Sequence, residues 1–143
     1  MKYNSTKIIT LGSTAFRQPE ADSHCKFLHG YNLKAKFWFT ADDLDENNWV
    51  VDFGGLKGLK EELKYTFDHK TIISSQDKYL YKFKELNDLG LIDLIILQGV
   101  GIEKFAEHCL KLANKVLSKH KAHCYKCEVF EHERNSAIYE IES

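Results

Sequence analysis

Proline is almost absent from this chain: Pro19 is the single one among 143 residues. No stretch rich in glycine and serine occurs either, so nothing marks a linker, a repeat or a low-complexity segment. Cysteine is sparse. The four thiols, Cys25, Cys109, Cys124 and Cys127, fall far short of the density of a secreted disulfide scaffold, and reduced side chains are expected. Charge of one sign is not in excess. The 20 basic and 21 acidic side chains give a formal net charge of −1, with no basic stripe for a phosphate backbone and no cationic face for a membrane. No apolar run is long enough to span a bilayer, and residues 1–5 lead into Ile8 and Ile9 without the apolar core of a secretory leader. Nucleic acid and membrane are therefore not expected as partners, and a soluble cytoplasmic protein is.

What is present suits one domain over residues 1–143. A hydrophobic share of 43% in a protein of this length can bury enough surface to fold without disulfides or a structural metal. Residues 7–16 are rich in β-branched side chains and predict a first strand. Residues 31–40 alternate cleanly, with Tyr31, Leu33, Ala35, Phe37 and Phe39 on one face, and predict an antiparallel partner. Between them, residues 17–28 carry Pro19, two acids, His24 and Cys25, and read as a functional loop. A short extended piece is expected at 49–53.

Helical spacing follows. Leu56, Leu59, Leu63 and Phe67 make one helix, Tyr79, Leu80, Phe83 and Leu86 a short second one ending near Gly90. The strongest pattern runs through Ile102, Phe105, Ala106, Cys109, Leu110, Ala113, Val116 and Leu117. Cys109 belongs to that apolar face and reads as packing. Residues 123–131 and 137–141 predict a terminal hairpin around Arg134-Asn135-Ser136. The order is two strands, helices, two strands, an α+β protein. Cys124-Tyr-Lys-Cys127 suggests zinc or redox chemistry at first sight, but no second Cys/His pair stands at finger-like spacing. In a regular strand those two thiols face opposite sides of the sheet, which is poor geometry for chelation.

Chemistry concentrates in one ordered set. Cys25 is followed four residues later by His29-Gly30-Tyr31, Asp68-His69 falls just past a helix, and Glu131 lies in a late strand. These residues offer a thiol, an imidazole beside a carboxylate, and a second carboxylate, the parts needed to abstract a proton from a bound polar ring.

The runs Cys25-Lys-Phe-Leu-His29-Gly-Tyr31-Asn32, Trp49-Val-Val-Asp-Phe-Gly-Gly-Leu-Lys57, Phe67-Asp-His-Lys70 and Val129-Phe-Glu131 through Tyr139 resemble the 6-pyruvoyl-tetrahydropterin synthase and 6-carboxy-tetrahydropterin synthase family. The resemblance covers nearly the whole protein. It implies a tunnelling fold: a four-stranded antiparallel sheet with helices packed on one face, assembled into a homo-oligomer, a hexamer by resemblance, with active sites between subunits. The implied reaction is lyase-type, on dihydroneopterin triphosphate or a close relative, in queuosine or tetrahydrobiopterin synthesis and without a nucleotide cofactor.

By the same resemblance Cys25 is the proton-transferring base, suited to that work because a thiol with a reference pKa of about 8.5 needs only modest tuning. Asp68 and His69 match the family's proton-relay pair, and Glu131 its pterin anchor, whose two oxygens take the paired N–H donors of the aminopyrimidine. His132 stands where much of the family has threonine. Lys26, Lys70 and Arg17 are candidates for the triphosphate. Before the long helix, Val100-Gly101-Ile102-Glu103-Lys104 keeps the family's glutamate and lacks its capping threonine, mainly a structural change, since glycine is a tolerable N-cap.

The departure that matters most concerns zinc. The resemblance implies three histidine ligands, yet the first position holds Phe16, the third Tyr31, and only His29 is kept. Either His24 joins His29 and another donor to rebuild a metal site, or the site is metal-free and Tyr31 and His29 polarise the substrate by hydrogen bonding. The second reading is favoured, because a phenol must ionise to ligate and a phenylalanine offers nothing. His108, His120 and His123 read as structural or surface residues.

Overall fold

The β-branched start of the chain and the alternating run after it form the longest pairing in the molecule. In the computed structural model, which describes residues 2–142, β1 spans Tyr3–Phe16 and β2 spans His29–Ala41. They pair antiparallel from Tyr3 opposite Ala41 to Phe16 opposite His29. Leu33, Ala35, Phe37 and Phe39 are fully buried, as their spacing predicts. In β1 the buried positions change parity, from Ile9 and Leu11 to Thr14 and Phe16. A bulge between Thr10 and Gly12 inserts one residue and makes this possible.

Three helices follow: α1, Lys57–Phe67; α2, Leu80–Asp88; and α3, Ile102–Val116. The apolar stripes of α1 and α3 cover one face of the sheet, and Phe105 joins them to β1, its ring lying edge-on to Phe16 at 5.2 Å and to Phe67 at 5.3 Å. Residues 49–53 are not extended as a strand. They bend into a 3₁₀ turn, Phe53–Leu56, capped by the Asp52 carboxylate on the Gly54 N–H.

The sheet corrects the expected four antiparallel strands. It has six, mixed, in the order β4-β3-β1-β2-β5-β6. The unforeseen pair is β3, Lys70–Ser74, parallel to β1, and β4, Leu94–Leu97, parallel to β3. Both are short and lack polar alternation, so periodicity cannot tell them from loop or helix ends. The terminal hairpin is present as β5, His123–His132, and β6, Asn135–Glu140.

Cys124 and Cys127 are a second correction. Both are fully buried on the core side, because a register shift opposite Trp38 and Phe39 leaves Tyr125 unpaired and turns Cys124 inward. Burial pushes the Cys124 thiol up to about 12, and a hydrogen bond with Cys109, together with burial, raises Cys127 as well. These are inert packing thiols.

Removing the aromatic hinge tests this packing. Phe105→Ala should cost about 3–5 kcal/mol, read as a lower urea midpoint. A smaller effect is expected from pH. His108 packs against the Phe67 ring at 6.0 Å, and burial lowers its pKa below the usual histidine value. Because the folded state disfavours the proton, stability should fall as pH drops through about 6.5, the unfolded value. Unfolding curves for the parent and His108→Gln should converge on the acid side.

Candidate active site

The loop after β1 is built to hold a thiol in place. Its 3₁₀ turn, His24–Lys26, is capped by Ser23, whose hydroxyl accepts from the Cys25 N–H at 3.3 Å. The Gln18 N–H donates to the Cys25 carbonyl at 2.8 Å and closes the loop on itself. Cys25 is exposed and reduced. At the loop's root, Arg17 Nε lies 3.2 Å from Asp77 Oδ2, and the guanidinium stacks over Tyr79 at 5.6 Å. Asp77 has no exposed side chain and also accepts the Tyr79 N–H at 2.9 Å. The pair stands at ion-pair distance without a well-aligned hydrogen bond.

Gln18 also lies beside a glycine. Gly101, the residue before α3, has φ +121, and a Cβ there would sit 2.1 Å from Gln18 Nε2. The positive φ is what calls for glycine, since the Gln18 side-chain end could shift aside. The helix start thus lies against the loop that carries Cys25.

The aromatic part of the candidate site lies where β1 ends and β2 and β5 run beside each other. His29 Nδ1 is 2.7 Å from the Phe27 carbonyl. A carbonyl only accepts, so Nδ1 carries a proton, and in the neutral ring the lone pair is on Nε2. The His29 ring rests on Phe16 at 4.8 Å and meets Tyr31 edge-on at 5.5 Å, and Tyr31 faces His132 at 6.2 Å. The Tyr31 phenol is held above its ordinary pKa, first by burial and then by the negative charges of Glu131 and Cys25. It is a neutral donor at physiological pH.

Glu131 is half-buried at a bulge that leaves it unpaired between Phe130 and His132. It follows the buried Cys127 and Val129 along β5, while a bulge displaces Tyr125 from their alternation. Among the described residues no lysine or arginine forms an ion pair with Glu131, so its carboxylate is free for a donor from outside.

Asp68 and His69 are placed differently. They follow α1 and bind the far edge of β1: the His69 N–H donates to the Ser13 carbonyl at 2.7 Å, and the Ser13 N–H donates to Asp68 Oδ1 at 3.3 Å. His69 adopts φ +58, a left-handed conformation unusual outside glycine and stored more often at functional sites. Its Nδ1 is 3.0 Å from Asp68 Oδ1, and its side chain is 85% exposed, so the Asp68 carboxylate orients an imidazole whose other nitrogen faces solvent. Gly12 makes room for it, since a Cβ there would meet Asp68 Oδ1 at 2.2 Å. No hydrogen bond or ion pair joins Asp68 or His69 to Cys25 or Glu131 among the described residues. A single copy assembles Cys25, His29, Tyr31 and Glu131, and presents the Asp68–His69 pair on the other side of β1.

The family model described as 6-pyruvoyl tetrahydropterin synthase matches residues 12–142. The chain belongs to that family. A 6-carboxy-5,6,7,8-tetrahydropterin synthase of Rickettsia bellii (strain RML369-C) is 38% identical over 55 residues, a stretch that spans 38% of this chain and only 40% of that enzyme. Among solved structures, an uncharacterized protein of Wolinella succinogenes superposes with TM-score 0.88 at 17% identity, over 98% of each protein. The 6-pyruvoyl tetrahydropterin synthase of Caenorhabditis elegans gives 0.69 at 18% identity, over 98% of this chain and 96% of that one. The enzyme of Plasmodium falciparum gives 0.68 at 14%, over 98% and 99%. At such identities the structures establish the shared fold.

Zinc, implied by the family resemblance, does not fit the residues this member supplies. Phe16 fills the first ligand position with a ring only 1% exposed, Tyr31 is a neutral phenol, and His29 offers one nitrogen. His24 is turned to Phe27, 6.2 Å from its ring. No cluster of three or more His, Cys, Asp or Glu side chains suited to a metal occurs among the described residues.

The three candidate cations separate. Arg17 is tied to Asp77 and Lys70 to Asp93, while Lys26 is exposed beside Cys25 over the Phe27 ring. Sequence reading missed Asp77 altogether. Its only signal is a lone acid just before a helical pattern, shared by any capping residue. A cavity of about 560 Å³ lined by Tyr3, Trp49 and Phe53 lies at the other end of β1 and holds none of these residues.

Asp77→Ala leaves Arg17 buried without its counter-charge. A loss of about 3–5 kcal/mol is expected in chemical unfolding, together with faster labelling of Cys25 by a thiol reagent as the loop loosens.

Proposed function

We propose that this protein binds a dihydropterin by its aminopyrimidine ring and transfers protons on the substituent that the ring carries, with dihydroneopterin triphosphate or a close relative as substrate. The observation that carries this reading is the placement of the unpaired Glu131 of β5 on the strand beside Tyr31 of β2, whose ring lies 6.2 Å from that of His132, with Cys25 in the loop leading into β2, in a member of a tetrahydropterin synthase family. Glu131 has two free oxygens to receive two parallel N–H donors, a bidentate contact that fixes the ring's orientation. A half-buried carboxylate without a cation gains more from such donors than a solvated one does.

With the ring anchored, Cys25 acts from the rim. Its thiolate takes a proton from a carbon of the ring's substituent, and a second group must pass a proton to the opposite part of that substituent. His69, oriented by Asp68 and open to solvent, supplies that function from a neighbouring copy, since within one copy no hydrogen bond or ion pair joins it to Cys25 among the described residues. The sheet leaves β4 and β6 as free edges, through which copies can join strand to strand into a closed homo-oligomer. Lys26 is the cation placed to meet the triphosphate.

A second reading is a pterin-binding protein without turnover, favoured by the phenylalanine at the first zinc position. Binding and turnover of dihydroneopterin triphosphate separate the two. Glu131→Gln should weaken binding roughly 10- to 100-fold, the value of a charged hydrogen-bonding contact. Cys25→Ala should leave binding within a few-fold and abolish turnover. Unchanged turnover in Cys25→Ala would remove the thiol from the chemistry, and a parent protein that binds but never turns over would establish the second reading.

A further inference from the structure

We infer that this protein runs its ring pocket without zinc, and that the Tyr31 hydroxyl and His29 Nε2 face the oxygens of the substrate's ring substituent in its place. The inference rests on the proposed pterin-binding reading for its substrate, but the metal part stands on the donor set alone.

Four observations carry it. The Phe16 ring is wedged between His29 at 4.8 Å, Tyr31 at 6.1 Å and Phe105 at 5.2 Å, so the space a third imidazole would need is filled by hydrocarbon continuous with the core. His29 donates its Nδ1 proton to the Phe27 carbonyl, which fixes the ring and leaves a single nitrogen. His24 sits against Phe27 in the exposed turn. No cluster of three ligating side chains exists among the described residues, whereas a catalytic zinc takes three protein ligands.

What occupies the site is organised for hydrogen bonding. Phe16 forms an apolar floor, and Tyr31 and His29 pack on it with their own rings edge to face, Cys25 lying in the loop just before them and Glu131 on the neighbouring strand. Once a substituent oxygen has become a carbonyl, a neutral phenol donates to it as enolate charge develops there on removal of the proton from the neighbouring carbon by Cys25. His29 Nε2, the unprotonated nitrogen, accepts from an adjacent hydroxyl. A fixed donor of this kind acts only as charge forms, so its loss is read in kcat more than in KM.

The test uses the full-length protein, equilibrated with zinc, dialysed and analysed for metal, beside Tyr31→Phe and His29→Ala. Zinc far below one per subunit, and turnover or pterin binding indifferent to a chelator, are expected. Tyr31→Phe should lower kcat about 100-fold, with KM within a few-fold. One tightly held zinc per subunit that is lost in His29→Ala would overturn the inference, as would full kcat in Tyr31→Phe. If the parent protein neither binds nor converts the pterin, the proposed function fails, and the zinc stoichiometry still decides whether the donor set is metal-free. In the reverse gain-of-ligand variant, Phe16→His combined with Tyr31→His, zinc uptake approaching one per subunit would support the aromatic floor as the reason for its absence; should that variant not fold, the parent and Tyr31→Phe decide alone.

Discussion

The β1–β2 ladder, with its bulge before Gly12, governs both halves of the candidate site. The extra residue in β1 switches which side chains face the core, so that Phe16 arrives beneath His29 and Tyr31 instead of pointing to solvent. The same bulge brings a glycine to φ +114, and the missing side chain is the seat of the Asp68 carboxylate. One irregularity thus sets the floor of the ring pocket on one side of the strand and holds the Asp68–His69 pair on the other. From Phe16 the packing continues through Phe105 to Phe67, the last residue of α1, and Asp68 follows directly. The two halves are therefore linked through the core as well as along β1.

Polar groups near the site are handled in two ways. Arg17 and Lys70 are held by Asp77 and Asp93, structural pairs that fix the loop root and the start of β3. Glu131 and His69 keep unused hydrogen-bonding capacity at the surface. Burying a charge without a partner is costly, so the half-buried Glu131, with no ion-pair partner among the described residues, keeps a carboxylate that a donor from outside would stabilise. The aromatic group of Phe16, His29, Tyr31 and His132 around it suits a flat ring.

The candidate set Cys25, His29, Tyr31, Asp68, His69 and Glu131 could be named from the sequence because its runs match those of the synthase family. The alternating run of β2 and the stripes of α1 and α3 were legible from their apolar spacing. Two strands, β3 and β4, were not, since such short runs without polar alternation have no period. The inward turn of Cys124 was hidden too, because a bulge changes parity without leaving a mark in composition. Asp77 escaped because nothing local says that an arginine far earlier in the sequence will be buried against it.

Residue identities at fixed spacing are enough to say which side chains could do chemistry here, and that zinc had lost two of its expected ligands. They do not say that the Phe16 ring packs into the core against Phe105, that Arg17 and Lys70 are already paired, or that no hydrogen bond or ion pair joins Asp68 or His69 to Cys25 among the described residues. Those outcomes came only with the folded molecule. They depend on strand register, on bulges and on contacts between residues far apart in sequence, and such long-range packing is set by the sum of the core's interactions and not by any local pattern.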